Sequence, residues 1–159
     1  MMILGLDPGI ASFGWAVIET VRESCLKLQC CGVIKTSPEH PLGKRLCIIS
    51  SDLKKIITET APEYAAVEEI FFSKNVKTAT VVGHARGAAI LTCAELGLKI
   101  AEFTPLEVKQ ALTGYGHATK NQIGFMVKEI LRLKELPKDD NTVDAIAIGI
   151  CLAHSHKSL

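Results

Sequence analysis

The chain has 159 residues, is 48% hydrophobic and carries a formal net charge of +1. That length favours one domain with a substantial core, and a mean hydropathy of +0.26 excludes a largely disordered chain. No apolar run reaches the roughly 18 residues of a membrane span, and no basic leader precedes the first strand-like segment. A single domain working in the cytoplasm, without a membrane partner, is therefore expected.

Residues 2–7 (MILGLD) read as a buried strand, turned by Pro8-Gly9. Residues 13–20 (FGWAVIET) alternate like a second strand, and 26–36 like a third; short turns between them predict an antiparallel meander. From Leu42 the period changes. Leu46, Ile49, Leu53, Ile56 and Ile57 recur at helical spacing, so 42–60 reads as an amphipathic helix that Ala61-Pro62 ends. Residues 64–69 are a short fourth strand, 76–96 a long helix rich in small residues, and 98–103 a fifth strand. Pro105 suits a helix start. Residues 113–121 read as an exposed loop, and two last helices are expected at about 120–134 and 140–154. The order predicts an α/β fold: a mixed five-stranded sheet with helices on both faces.

Three apolar segments each contain a carboxylate: Asp7, Glu68 and Asp144. A carboxylate at the end of such a run is costly unless a cation or a donor meets it. Each has an ordinary reading, as a turn cap, a solvated strand end or a surface acid on a helix. Glu69 rivals Glu68, because neighbours on a strand face opposite ways. Taken together, three acids on three elements point to a shared site for a hard metal. Such clusters hold paired Mg²⁺ or Mn²⁺ roughly 3.5–4 Å apart in enzymes that break phosphodiesters.

Little competes with that chemistry. The six cysteines show no C-x-x-C spacing and read mainly as small core residues. His154 and His156 read as frayed surface residues, and no P-loop pattern is present. Most of the 18 Lys and Arg are ordinary surface. Lys74 and Lys77 stand out after Glu68, Lys109 and Lys120 around the glycine-rich loop, and Lys44 and Arg45 at the first helix. Such groups would hold phosphates without reading sequence.

Five motifs occur in order: ILGLDPGIASFGWAVIE, AAVEEIFFSKNVKTA, GHARGAAIL, EVKQALTGYGHATKNQI and DAIAIGICLAH. Together they resemble the RuvC family of Holliday junction resolvases over nearly the whole chain. The resemblance implies a ribonuclease H-like fold and a homodimer that cuts two strands of a four-way DNA junction symmetrically. It implies Mg²⁺, two per subunit, with Mn²⁺ able to substitute, and a branch-migration complex as a further partner. Asp7, Glu68 and Asp144 match three of the family's four acidic ligands. Lys109 and Lys120 match basic residues near the scissile phosphate. Phe71, which alone reads as core with Phe72, matches an aromatic that stacks on unpaired bases. The helix from Val81 to Leu91 matches the dimer helix, and Gly83, Ala85, Gly87, Ala88 and Ala89 would allow close packing there.

One position departs from the family. A second acid, or a histidine, usually stands one turn before the last Asp; here it is Asn141, still counted among the expected metal ligands and catalytic positions. An engineered loss of Asp, a natural tolerated Asn, and replacement by Asp140 on the same helix face are all open. They separate an active nuclease from a junction binder that does not cut. The first motif also resembles the phosphate loop of sugar-kinase and actin-like ATPases, whose two domains do not fit this length.

Overall fold

The computed structural model describes residues 1–22, 25–69 and 76–155, with backbone alone for 76–78. Five strands form one sheet in the order β3-β2-β1-β4-β5. Strands β1 (Met2–Asp7), β2 (Ser12–Arg22) and β3 (Cys25–Lys35) make the expected antiparallel meander. Strands β4 (Tyr64–Glu68) and β5 (Lys99–Phe103) extend it in parallel on the other side of β1. The central strand is apolar on both faces because both are covered: Ile3, Leu4 and Leu6 are fully buried.

Helices divide between the faces. Helices α1 (Leu42–Thr60) and α2 (Val76–Glu95) cover one. Ile49, Leu53 and Ile57 of α1 and Ala85, Ala89 and Cys93 of α2 pack there with Leu4, Leu6, Val17 and Val67. Helices α3 (Pro105–Thr113), α4 (Lys120–Ile130) and α5 (Asp140–Ser155) cover the other. Their core includes Ile3, Ala16, Ile18, Ala66, Val108, Ile123, Ile146 and Ile150.

The α5 helix lies against the backbone of β1 and β2. A Cβ on Gly5 would stand 2.1 Å from the Ala145 carbonyl oxygen, and one on Gly14 would stand 2.1 Å from that of Asn141. Both glycines are notches that let the helix approach the sheet closely. Because Gly14 pairs with Asp7 across the sheet, this contact sets the first turn of α5 beside the end of β1.

Several details differ from the sequence reading. The α4 helix starts at Lys120 as expected, and Thr119 and Gln122 form a capping box there. It ends at Ile130 rather than near 134, and Arg132 takes a left-handed conformation at φ 51°. Only Cys93 and Cys151 are buried, whereas Cys25 and Cys47 are exposed; all six are free thiols. The reading as core residues holds for Cys93 and Cys151, with Cys30 and Cys31 packed against the core, and is corrected for Cys25 and Cys47. His154 is not frayed either: its Nδ1 donates to the Ala111 carbonyl at 3.2 Å, tying α5 to α3. Arg45 Nε donates to Thr36 Oγ1 at 2.8 Å, which anchors the start of α1.

Candidate metal and phosphodiester site

Parallel pairing of β1 with β4 aligns Leu6 with Val67. The next residues are Asp7 and Glu68, which end these neighbouring strands side by side. Strand β4 stops at Glu68, while the Glu69 N–H donates to the Phe103 carbonyl at 2.8 Å. Glu68, and not Glu69, lines the adjoining cleft, so the geometry favours the first of the two glutamates. Asp144 reaches the same cleft from the second turn of α5.

The cleft is about 300 Å³ and includes Glu68, Lys109, Lys120 and Asp144 in its walls. A second hollow of about 310 Å³ shares Lys120 and Asp144 and adds Asp140. A larger open groove of about 570 Å³ follows the outer face of α1 through Lys54, Lys55 and Glu59. It contains none of the clustered acids, so the smaller cleft is the chemical candidate.

Electrostatics single out the same residues. Burial first, and then the charges of Glu68 and Asp144, together raise the Asp7 carboxyl from 3.8 to about 7 against the opposing Lys120 ammonium. Burial and then Asp144 raise Glu68. Burial raises Asp144, opposed by the Lys120 ammonium, whose Nζ lies 3.4 Å from Asp144 Oδ2. One exposed lysine, Lys120, therefore opposes the charge of three carboxylates. Among the described residues, no three acids, histidines or cysteines stand close enough together to enclose an ion. The neighbouring charges nevertheless raise Asp7 and Glu68, and a hard cation between these carboxylates would relieve that repulsion. The oxygen donor set thus fits a divalent metal.

Position 141 bears on the site through its backbone, which rests on Gly14 opposite Asp7. Asp140 is exposed and its Oδ2 lies 3.9 Å from Lys120 Nζ. Asp139 caps α5: its Oδ1 accepts the Asn141 N–H at 3.0 Å, and its carbonyl accepts the Val143 N–H at 3.3 Å. Sequence reasoning missed Asp139, although an acid just before a helix is a recognisable cap signal. It also missed Arg86, which contacts Glu68 from α2; no local pattern marks that distant contact. Phe71 and Lys74 lie outside the described residues, as does the side chain of Lys77.

A ribonuclease H-like sheet with acids ending two adjacent parallel strands and a third on the closing helix defines a class of carboxylate-site proteins. Within it, residues 3–152 match the family model for crossover junction endodeoxyribonuclease RuvC. A relative of that name from Pelotomaculum thermopropionicum is 46% identical over 98% of this chain and 94% of its own length. One from Desulforamulus reducens is 49% identical over 96% and 93%. The structure of Thermus thermophilus RuvC in complex with a Holliday junction substrate superposes with a TM-score of 0.95 at 36% identity, covering 99% of this chain and 96% of that one. The chain belongs to the RuvC family of crossover junction endodeoxyribonucleases. The nucleases of this family depend on divalent metal ions.

Proposed function

We propose that this chain is a structure-specific endonuclease that resolves four-way DNA junctions in recombination and repair. The single observation that carries the reading is the close superposition on a relative that holds a Holliday junction. In this reading Asp7, Glu68 and Asp144 hold Mg²⁺, two ions per subunit, with Mn²⁺ able to replace it. The bound metal would supply Lewis-acid polarisation of the phosphate and of the attacking water.

The chain's own residues do the rest. The carboxylates fix the donor oxygens on two strand ends and one helix, which limits their movement. The Lys120 ammonium, 3.4 Å from Asp144 Oδ2, would be free to meet a phosphate oxygen once a metal neutralised Asp144. Lys109, across the cleft, offers a second positive charge. Hydrolysis then adds water across one P–O bond, leaving a 5′-phosphate and a 3′-hydroxyl that a ligase can join. Phe71, Lys74 and Lys77 complete the proposed DNA contacts. The test compares a labelled four-way junction with linear duplex of the same sequence, in Mg²⁺ and in Mn²⁺. Paired symmetric nicks confined to the junction support the reading; an intact junction in both metals rejects it.

A homodimer through α2 belongs to the same proposal. Cβ atoms on Gly83 and Gly87 would meet nothing within 4 Å, and Leu91 is 60% exposed. Gly87→Leu is therefore expected to leave the protomer folded and to raise the dimer dissociation constant by about tenfold or more, from overpacking of about 1–3 kcal/mol. Sedimentation reads this directly, and an unchanged dimer places the interface elsewhere. A branch-migration complex remains a proposed cellular partner.

Asn141 favours a second reading, a junction binder that does not cut. Asn offers a neutral carbonyl where an acid would add charge to the metal site, and ligand charge tunes affinity. Asn141→Asp is expected to lower the Mg²⁺ concentration needed for half-maximal cutting by roughly tenfold, the low end of changes around metal sites. An unchanged Mg²⁺ profile would show that position 141 is not a lost ligand. Tight binding in EDTA with no cutting by either protein in Mg²⁺ would favour the binder.

A further inference from the structure

Arg86 stands on α2, on the opposite face of the sheet from α5, with its side chain only 20% exposed. Its guanidinium joins two strands. Nε donates to the Glu68 backbone carbonyl at 3.0 Å, and Nη2 pairs with the Glu102 carboxylate on β5. Glu68 is the last residue of β4, so this bond falls where the strand ends. The next residue is held on the β5 side by the Glu69-to-Phe103 hydrogen bond. Among the described residues, Arg86 thus supplies the side-chain hydrogen bond to the Glu68 carbonyl, and β5 holds the peptide that follows.

We propose that Arg86 is a positioning residue for the metal site. By fixing the carbonyl of Glu68 it sets the peptide plane there and so the direction in which the Glu68 carboxylate enters the cleft. The geometry requires arginine. A planar fork serves a carbonyl with one N–H and a carboxylate with another, whereas lysine presents one compact ammonium on a flexible stem. Glu102 holds the fork in orientation from the far side, as partners beyond the direct ligands commonly do at metal sites. This role rests on the reading of Glu68 as a metal ligand.

The test measures Arg86→Lys and Glu102→Gln beside the unchanged chain. Mn²⁺ affinity is read by electron paramagnetic resonance, junction affinity in EDTA, kcat and KM in Mg²⁺, and stability by thermal melting. Arg86→Lys is expected to weaken Mn²⁺ binding by about tenfold and to lower kcat by roughly 10–100-fold. KM and junction affinity in EDTA should hold. Glu102→Gln, which keeps the carbonyl contact, should show a smaller loss in both. Unchanged Mn²⁺ affinity in Arg86→Lys would overturn the proposal. So would losses that follow melting temperature equally in both variants, since that marks a stabilising bolt and nothing more. If Arg86→Lys weakens Mn²⁺ binding while even the unchanged chain cuts no junction, the positioning role stands and the endonuclease reading falls.

Discussion

Asp7→Asn is expected to abolish junction cutting while making the metal-free protein more stable. Catalysis should fall by about 10³-fold or more, because a carboxylate of the proposed metal site is lost along with its charge. The stability effect follows from the rise of the Asp7 carboxyl from 3.8 to about 7. A raised carboxyl means that the folded state binds its proton more tightly than the unfolded chain does. Ionisation therefore destabilises the fold as pH climbs from about 4 to 7, and the full cost applies above 7. At ~1.4 kcal/mol per pH unit the shift bounds this cost at ~4 kcal/mol, and water reaching the cleft reduces it to about 1–3 kcal/mol. Removing the charge should raise the melting temperature at pH 8 in EDTA by roughly 3–10 °C. At pH 4 the two proteins should melt together. Saturating Mg²⁺ should reverse the order, since only the unchanged chain keeps all three carboxylates. Equal melting at pH 8 in EDTA would show that the cluster stores no repulsion.

Gly5→Ala should be severely damaging for a single added methyl. Its Cβ would stand 2.1 Å from the Ala145 carbonyl oxygen and 2.9 Å from the Gly149 nitrogen. Both are backbone atoms, which cannot swing aside as a side chain can. The cost belongs at or above the top of the overpacking range, about 3 kcal/mol, or roughly 6–12 °C in melting temperature. Any surviving fold must lift α5, and Asp144 with it. A shift of about 1 Å at a catalytic group can lower the rate 10²-fold, so activity should fall further than stability alone explains. Gly43→Ala on α1, which enters open space, serves as the matched control and should melt no lower than the unchanged chain. Thermal melting with junction cutting on the same samples separates the two effects, and a Gly5→Ala protein that melts like the control would refute close helix–sheet contact.

The parts of the fold legible in the chain are those governed by local period. The meander, the amphipathic α1 and the two-sided burial of β1 follow from spacing that a reader can count. The start of α4 near residue 120 was legible too, whereas its end at Ile130 fell short of the expected 134. Asp7, Glu68 and Asp144 stood out because acids interrupt apolar runs. Their meeting could be expected but not measured, since it depends on the register of β1 against β4 and on how closely α5 approaches the sheet. The notches at Gly5 and Gly14 and the Arg86 contact with Glu68 join residues far apart in the chain. Such contacts leave no local period, so only the folded arrangement reveals them. Asn141 was visible as a departure, and its backbone contact with Gly14 gives it a place beside Asp7.

The measurement that bears most directly on the metal site is anomalous diffraction from crystals soaked in Mn²⁺. The expected result is manganese bound among the carboxylates of Asp7, Glu68 and Asp144, with Lys120 displaced from Asp144. Two peaks roughly 3.5–4 Å apart would match paired-metal hydrolysis, and the nearer of Asn141 and Asp140 would identify the fourth ligand position. Manganese bound elsewhere, or no peak between these three carboxylates at saturating Mn²⁺, would contradict the assignment of this cleft as the metal centre.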